Sequence, residues 1–212
     1  MGSRGIKNWN SKIVRNIRDS LELTEIQKGF LIGKILGDGS LISTLTGKSF
    51  RLQVEQKAEH KDYVFWAAEI FKGWVLTQPK YLAQHQSFRF RTISHPQMTE
   101  FRKTFYPVKR KIIPLNIKKI FVHPISLAVW FMDDGSLSTS KKTVTISTHS
   151  FSREENLLLI DCLKNNFNFQ ANLNWDSKGN RLYIPVGNIK KFKEIVFPYM
   201  HPDMIYKLPL TP

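Results

Sequence analysis

From Thr24 to Leu36 the stretch "TEIQKGFLIGKIL" carries apolar residues three and four positions apart, the spacing of a helix with a wide apolar stripe. Thr24-Glu25-Ile26-Gln27 reads as a capping box opening that helix, and Gly39 suits its exit. The period then shortens to two. Residues 40–46 and 50–57 predict a hairpin, with Phe50, Leu52, Val54 and Gln56 on one face and Arg51, Gln53, Glu55 and Lys57 on the other. "KDYVFWAAEIFKGWVL" (61–76) predicts a largely buried helix. "KYLAQ" and "FRFRT" predict a second hairpin in which Phe88 and Phe90 alternate with Arg89 and Arg91, and "PQMTEFRKTFY" a closing helix. A second series follows: a helix at 124–133, a strand at 142–148, a helix at 152–165, strands near 171–175 and 181–185, and a helix near 189–198. Helix, two strands, helix, two strands, helix, written twice, predicts an α+β protein of two αββαββα units with two four-stranded antiparallel sheets.

Spacing supports a duplication. "FLIGKILGDGSL" ends in Asp38-Gly39-Ser40 and "LAVWFMDDGSL" in Asp134-Gly135-Ser136, 96 residues later. Lys111 lies 73 residues beyond Asp38, and Lys207 lies 73 beyond Asp134, each followed closely by a proline, Pro114 and Pro209. "FRKTFYP" (101–107) is matched by "FKEIVFP" (192–198) at an offset of 91, which calls for a five-residue insertion before Lys207. The units are placed at 24–107 and 124–212, joined by a basic, proline-punctuated linker at 108–123 and preceded by a basic arm at 1–23. The Met-Gly-Ser start suits a cloning remnant; the Arg and Lys residues after it suit a targeting segment, a DNA-contacting arm or a solvated helix, and the sequence leaves these open.

Composition narrows the partners. The 212 residues are 42% hydrophobic, enough for a sizeable core. Lys and Arg number 32 against 17 Asp and Glu, a net charge of +15, which favours a polyanion because neutralising phosphates releases counterions. A plain soluble basic protein, or one resting on an anionic membrane, would share that excess. Cys162 is the single cysteine, so neither an intrachain disulfide nor a thiolate metal cluster can form, which suits a reducing interior. The six histidines are scattered singly. The longest apolar run, around "LAVWFM", is too short to span a bilayer, and the N-terminus has no signal-peptide core.

The two acids are the anomaly. The C-terminus of a helix carries partial negative charge and disfavours a carboxylate. One Asp-Gly alone is an ordinary turn; a matched pair at equivalent positions asks for more. Ile26, Phe30, Gly33 and Gly37 form a strip at helical spacing whose glycines admit a second helix, and its register match is Val122, Ser126, Val129 and Asp133. Packed strip to strip, the helices bring Asp38 and Asp134 together at one end of the core. Like charges there raise a pKa, and a divalent cation, Mg²⁺ above all, relieves them, with waters and phosphates completing its shell. The shared spacing brings Lys111 and Lys207 into the same neighbourhood; alone, each would read as an ordinary phosphate-binding lysine. Outward strand residues are the candidate contacts for such a polyanion: Arg51, Gln53, Lys57, Lys80, Arg89 and Arg91 in the first unit, and Lys142, Thr143, Thr145, Asn172, Asn174, Arg181 and Tyr183 in the second, the DNA-binding set if the partner is a duplex. The second set holds fewer arginines, which predicts an asymmetric target.

"LIGKILGDG" (31–39) and "LAVWFMDDG" (127–135) resemble the two motif helices of the LAGLIDADG homing endonucleases, and "WFMDDG" with "YKLP" is similar to their single-chain, intron-encoded organellar branch. The likeness runs from about Thr24 to Pro209. It implies a pseudo-symmetric monomer with a central pair of motif helices, its two sheets forming a saddle over a long double-stranded DNA site. It implies that Asp38 and Asp134 are the metal-binding acids, each aided by the preceding carbonyl, Gly37 or Asp133, and that Lys111 and Lys207 are active-site basic residues. Each acid then serves one strand, the cuts leave short 3′ overhangs, Mn²⁺ substitutes for Mg²⁺, and Ca²⁺ binds without supporting cleavage. Some members of this fold act as maturases, so the chain's own intron RNA is the alternative partner; a regulator that lost the metal site is a further alternative, against which both acids argue. Two positions depart from the pattern: Lys34 replaces an apolar residue, and Val129 stands where the first motif has Gly33. Both are expected to loosen or tilt the helix packing without reaching the acids.

Overall fold

A computed structural model describes residues 12–177 and 179–209; the first eleven residues of the predicted basic arm lie outside the described residues. The chain divides into two compact units. One comprises the described residues up to Gln27 with Gly39–Arg102; the other comprises Lys28–Asp38 with the described residues from Lys103 onward.

In the first unit, α1 (Lys12–Asp19) buries Val14, and α2 (Glu25–Leu36) begins at the predicted capping box. The Gln27 amide donates to Thr24 Oγ1 at 3.2 Å, and the Thr24 amide donates back to Gln27 Oε1 at 3.1 Å. Strands β1 (Ser40–Ser43), β2 (Phe50–Lys57), β3 (Lys80–Leu82) and β4 (Ser87–Arg91) form an antiparallel sheet ordered β1-β2-β4-β3. Leu41, Leu52, Val54 and Phe90 face inward, covered by α3 (Lys61–Ile70) with Tyr63, Val64 and Ala67 buried. The predicted helix over 61–76 stops at Ile70, because the chain turns at Gly73 with φ +87°, where a side chain would be strained, and so drops Trp74 into the core. Helix α4 (Pro96–Phe105) follows.

The second unit repeats the plan. Strands β5 (Gly135–Leu137), β6 (Val144–Ser147), β7 (Asn172–Asp176) and β8 (Gly179–Ile184) form a sheet ordered β5-β6-β8-β7. Val144, Ile146, Leu182 and Ile184 are its buried face. Helix α7 (Arg153–Phe167) packs on β7 and β8, and α8 (Val186–Val196) on α6 (Pro124–Asp134). The predicted linker is part of this core: α5 (Ile117–Ile120) packs on α7, with Ile113, Ile117 and Phe121 buried.

The end of α2 lies against α6 through glycines. A methyl group on Gly29 would sit 2.7 Å from Ile125, one on Gly33 2.8 Å from Val129, and one on Gly37 2.6 Å from the Asp133 Cβ. Val129 therefore fills the space Gly33 leaves; the two are complementary, and the expected loosening is absent. The strip is shifted from its predicted ends: Ile26 and Val122 are largely exposed, and Gly29 with Ile125 replaces them in the seam.

Gly33→Ala places a methyl against the Ser126 carbonyl, a backbone atom that cannot swing away. It should destabilise by about 1–3 kcal/mol despite the gain in helix propensity. Gly187→Ala, on α8 with open space around it, should be neutral or stabilising by about 0.5–1 kcal/mol. Thermal melts of the two variants check the contrast.

Candidate active site

Each motif helix ends with spare carbonyls, and in each case a lysine takes them. Lys111 Nζ donates to the carbonyls of Leu36 and Gly37, both at 3.0 Å. Lys207 Nζ donates to those of Met132 and, at 3.3 Å, Asp133, which are the same two positions one repeat later. A cation on the last carbonyls is the favourable partner of a helix C-terminus, so the lysines offset the field that makes an acid there unfavourable. The two carbonyls expected to face a metal, Gly37 and Asp133, thus accept from lysine; a carbonyl oxygen has a second lone pair, so this does not exclude a second partner.

The lysines reach this point on unlike supports. Lys111 lies on an irregular segment after α4, held on both sides by Glu155. That carboxylate accepts from Arg110 Nη1 at 3.0 Å and from the Ile113 amide at 3.2 Å while closing the capping box of α7 on Ser152. Burial would raise the Glu155 carboxyl, but these bonds outweigh it and hold it below its ordinary value. Lys207 ends the 3₁₀ helix Pro202–Lys207, whose cap, His201, sends its amide to Met132 Sδ at 3.2 Å.

Three carboxylates meet here, where two were expected. Asp38 is exposed, just past the end of α2; Asp134 is half-buried, the last residue of α6. The side chain of Asp133 is fully buried, 2.7 Å from Lys34 Nζ, and it accepts the Asp38 amide at 3.1 Å. Lys34 therefore does reach the acids, contrary to the expectation from sequence: α2 faces α6 at this position, so its ammonium meets a charge rather than an apolar neighbour. Burial pushes the Asp133 carboxyl up, against the pull of Lys34. Burial, then the charges of Asp38 and Asp133, push Asp134 up to about 7, while Lys111 and Lys207 pull it down. Burial lowers both lysines, and the acids oppose that shift. Among the described residues no three His, Cys, Asp or Glu side chains are grouped to hold an ion. What fits is a cation taking one or both of Asp38 and Asp134 and completing its shell with water and phosphate.

Away from these acids, each sheet presents a polar face. On the first, Gln53 opposes Arg91 and Glu55 opposes Arg89, Lys80 lies beside Arg89, and Arg91 Nε donates to Gln53 Oε1 at 2.7 Å. Arg51 shares that face, and Lys57 ends it, exposed. Glu55 was not among the predicted contacts. It accepts from Ser87 at 2.7 Å, pairs with His85 and Arg89, and is held below its ordinary value by those partners against its burial. On the second sheet, Thr145 opposes Tyr183, which opposes Asn172, and Arg181 opposes Asn174 and pairs with Asp176. Ser136, also unpredicted, bonds Thr145 at 2.9 Å. Lys142 is exposed. Thr143 is a correction: it is 4% exposed, before β6, with its amide on Ser138 Oγ, because the strand begins only at Val144 after a turn.

The sequence profile of the LAGLIDADG DNA endonuclease family matches residues 28–192, which hold most of α2, all of α6, both acids and Lys111. The chain belongs to that family. "Probable intron-encoded endonuclease 1" of Wickerhamomyces canadensis is 30% identical over 94% of this chain and 91% of its own length. "DNA endonuclease I-ChuI" of Chlamydomonas applanata is 27% identical over 89% and 96%. "Cytochrome b mRNA maturase bI2" of Debaryomyces hansenii is 25% identical over 84% and 71%. Among solved structures, the homing endonuclease I-WcaI bound to its DNA recognition sequence superposes with a TM-score of 0.83 at 30% identity, covering 94% of this chain and 93% of that one. The LAGLIDADG motif thus accounts for the two helices as a pair. Lys34, the Asp133 side chain and Glu155 lie outside what the repeat could disclose, since none has a like residue in the other copy. Asp133 carried a signal as one acid too many in "DDG", and Lys34 as a charge inside an apolar motif.

Asp134 sets a pH dependence. Its carboxyl holds a proton more tightly in the folded protein, near 7, than at its ordinary value of 3.8. Metal-free stability should therefore fall, by a few kcal/mol at most, as pH rises from about 4 to about 7, and level off above. Asp134→Asn should flatten that slope, and millimolar Mg²⁺ at pH 8 should raise the melting temperature of the wild type but not of the variant. Thermal denaturation across pH reads all three.

Proposed function

We propose that the protein is a site-specific endonuclease that hydrolyses both strands of a long, asymmetric duplex with short 3′ overhangs and so promotes intron homing. The observation that carries this reading is the matched arrangement at the two helix ends: an acid, a lysine on the two preceding carbonyls, and the same again one repeat away. The polar strand faces support a DNA partner, since a two-stranded ribbon fits the major groove.

Asp38 and Asp134 are the residues that would hold divalent metal, Mg²⁺ with Mn²⁺ as substitute and Ca²⁺ as a non-supporting ion. Bound there, the metal would supply a low-pKa water and charge stabilisation at phosphorus and the leaving oxygen. The chain's own part follows from its geometry. Each lysine spends two of its three N–H groups on carbonyls, which fixes the ammonium. The third is assigned to a water or a phosphate oxygen, where a pre-oriented cation stabilises charge as it develops. Arg51, Gln53, Lys57, Lys80, Arg89 and Arg91, with Lys142, Thr145, Asn172, Asn174, Arg181 and Tyr183, are assigned to DNA contact. The maturase among the relatives favours intron RNA as a second ligand. Intron-encoded relatives support an organellar compartment, and the duplicated site within one chain supports a monomer.

Asp38→Asn and Asp134→Asn should each abolish double-strand cleavage of a target plasmid in Mg²⁺ and leave DNA affinity in Ca²⁺ within about threefold, whereas Lys111→Met and Lys207→Met should slow cleavage on the order of 10²-fold. Targets are drawn from a randomised duplex library. Full cleavage by either Asn variant, or cleavage in chelator, would overturn the reading; tight binding of intron RNA without DNA cleavage would favour the maturase.

A further inference from the structure

One buried ion pair breaks the internal symmetry. Lys34 Nζ stands 2.7 Å from the Asp133 carboxylate, with the two side chains 1% and 0% exposed. One repeat onward the position of Lys34 is Trp130, and one repeat back the position of Asp133 is Gly37, neither of them charged. The arrangement depends on that glycine, since a Cβ on Gly37 would fall 2.7 Å from the Asp133 Oδ2. An ion pair this deep adds little stability over an apolar pair of the same volume.

A role is visible in what the carboxylate holds. Helix α2 ends at Leu36; the Gly37 amide still bonds the Gly33 carbonyl at 3.0 Å, but the Asp38 amide is turned to Asp133 Oδ2 at 3.1 Å. Asp134 needs no such device, being the last residue of α6 itself. The exposed acid beyond a helix end is thus steadied by a side chain from the other helix, and the half-buried acid by its own helix.

We propose that Lys34 and Asp133 are positioning residues for Asp38 alone, fixing its backbone so that one strand of the duplex is cut efficiently. This rests on the reading of Asp38 and Asp134 as acids serving one strand each. Lys34 holds the Asp133 carboxyl in place and Asp133 accepts the Asp38 amide, whereas Asp134 is held by its own helix.

The test compares two double variants with the wild type and with Asp38→Asn on duplex labelled at both ends. K34M/D133L replaces the pair by apolar residues and removes the acceptor; K34M/D133N keeps a neutral acceptor for the Asp38 amide. K34M/D133L should bind DNA in Ca²⁺ within about threefold of wild type. It should cut the strand lost in Asp38→Asn at least about tenfold more slowly, cut the other strand within about threefold, and accumulate nicked product. Amide exchange of metal-free protein should show Asp38 about tenfold less protected in K34M/D133L. K34M/D133N should recover both rate and protection. Equal slowing of both strands, an unchanged Asp38 strand in folded K34M/D133L, or no recovery in K34M/D133N would overturn the proposal. Should K34M/D133L not fold, the wild type still decides: an Asp38 amide exchanging at the rate of an unfolded chain overturns it. If Asp38→Asn leaves both strands cut, the reading of Asp38 as an acid of the reaction fails, and amide exchange judges the clamp separately.

Discussion

At each of two helix C-termini that lead into an acid, a lysine sits on the last carbonyls and offsets the field there. Lys111 on Leu36 and Gly37, and Lys207 on Met132 and Asp133, turn the least favourable place for a carboxylate into a tolerable one. Glu155 steadies the segment of Lys111 through Arg110 and the Ile113 amide, and a proline-led 3₁₀ turn delivers Lys207. The compensation is incomplete at Asp134, whose carboxyl stays near 7. An incompletely compensated acid is one that still gains by binding a cation.

The contact between α2 and α6 is the second constraint. Gly29, Gly33 and Gly37 let the backbones approach so closely that a methyl at any of them would collide. The cost is flexibility lost at three glycines inside or just beyond a helix. The gain is that residues following Leu36 and Met132 stand near enough for Asp133 to reach the amide of Asp38. The same closeness gives Lys34 a partner in an otherwise apolar core. The two helices are alike in motif but differ at Lys34, Val129 and Asp133, which makes their contact asymmetric.

The sheets separate affinity from arrangement. Along β2 and β8 buried positions largely alternate with more exposed ones, so these strands supply the core and the outer face at once. The first sheet's polar face is internally organised: Glu55 collects His85, Ser87 and Arg89, and Gln53 orients Arg91. Such pre-set side chains lose less freedom when they meet a ligand than loose ones do. The second face is organised likewise, with Ser136 on Thr145 and Asp176 paired with His149 and Arg181.

By itself the sequence determined the repeat, the order of elements, the strand faces, the two acids and the two lysines. Each of these is a matter of spacing along the chain, and spacing is what helical period, strand period and duplication record. Only the tertiary structure decided that α3 stops at Ile70, that the segment before α6 is core rather than linker, and that Thr143 is buried. It alone brought Lys34 to Asp133 and Glu155 to Arg110, pairs separated by 99 and 45 positions. Neither pair recurs in the other copy, so no period marks them. A charge inside an apolar helix looks like a defect until the helix facing it supplies the opposite charge, and which helix faces it is settled by packing.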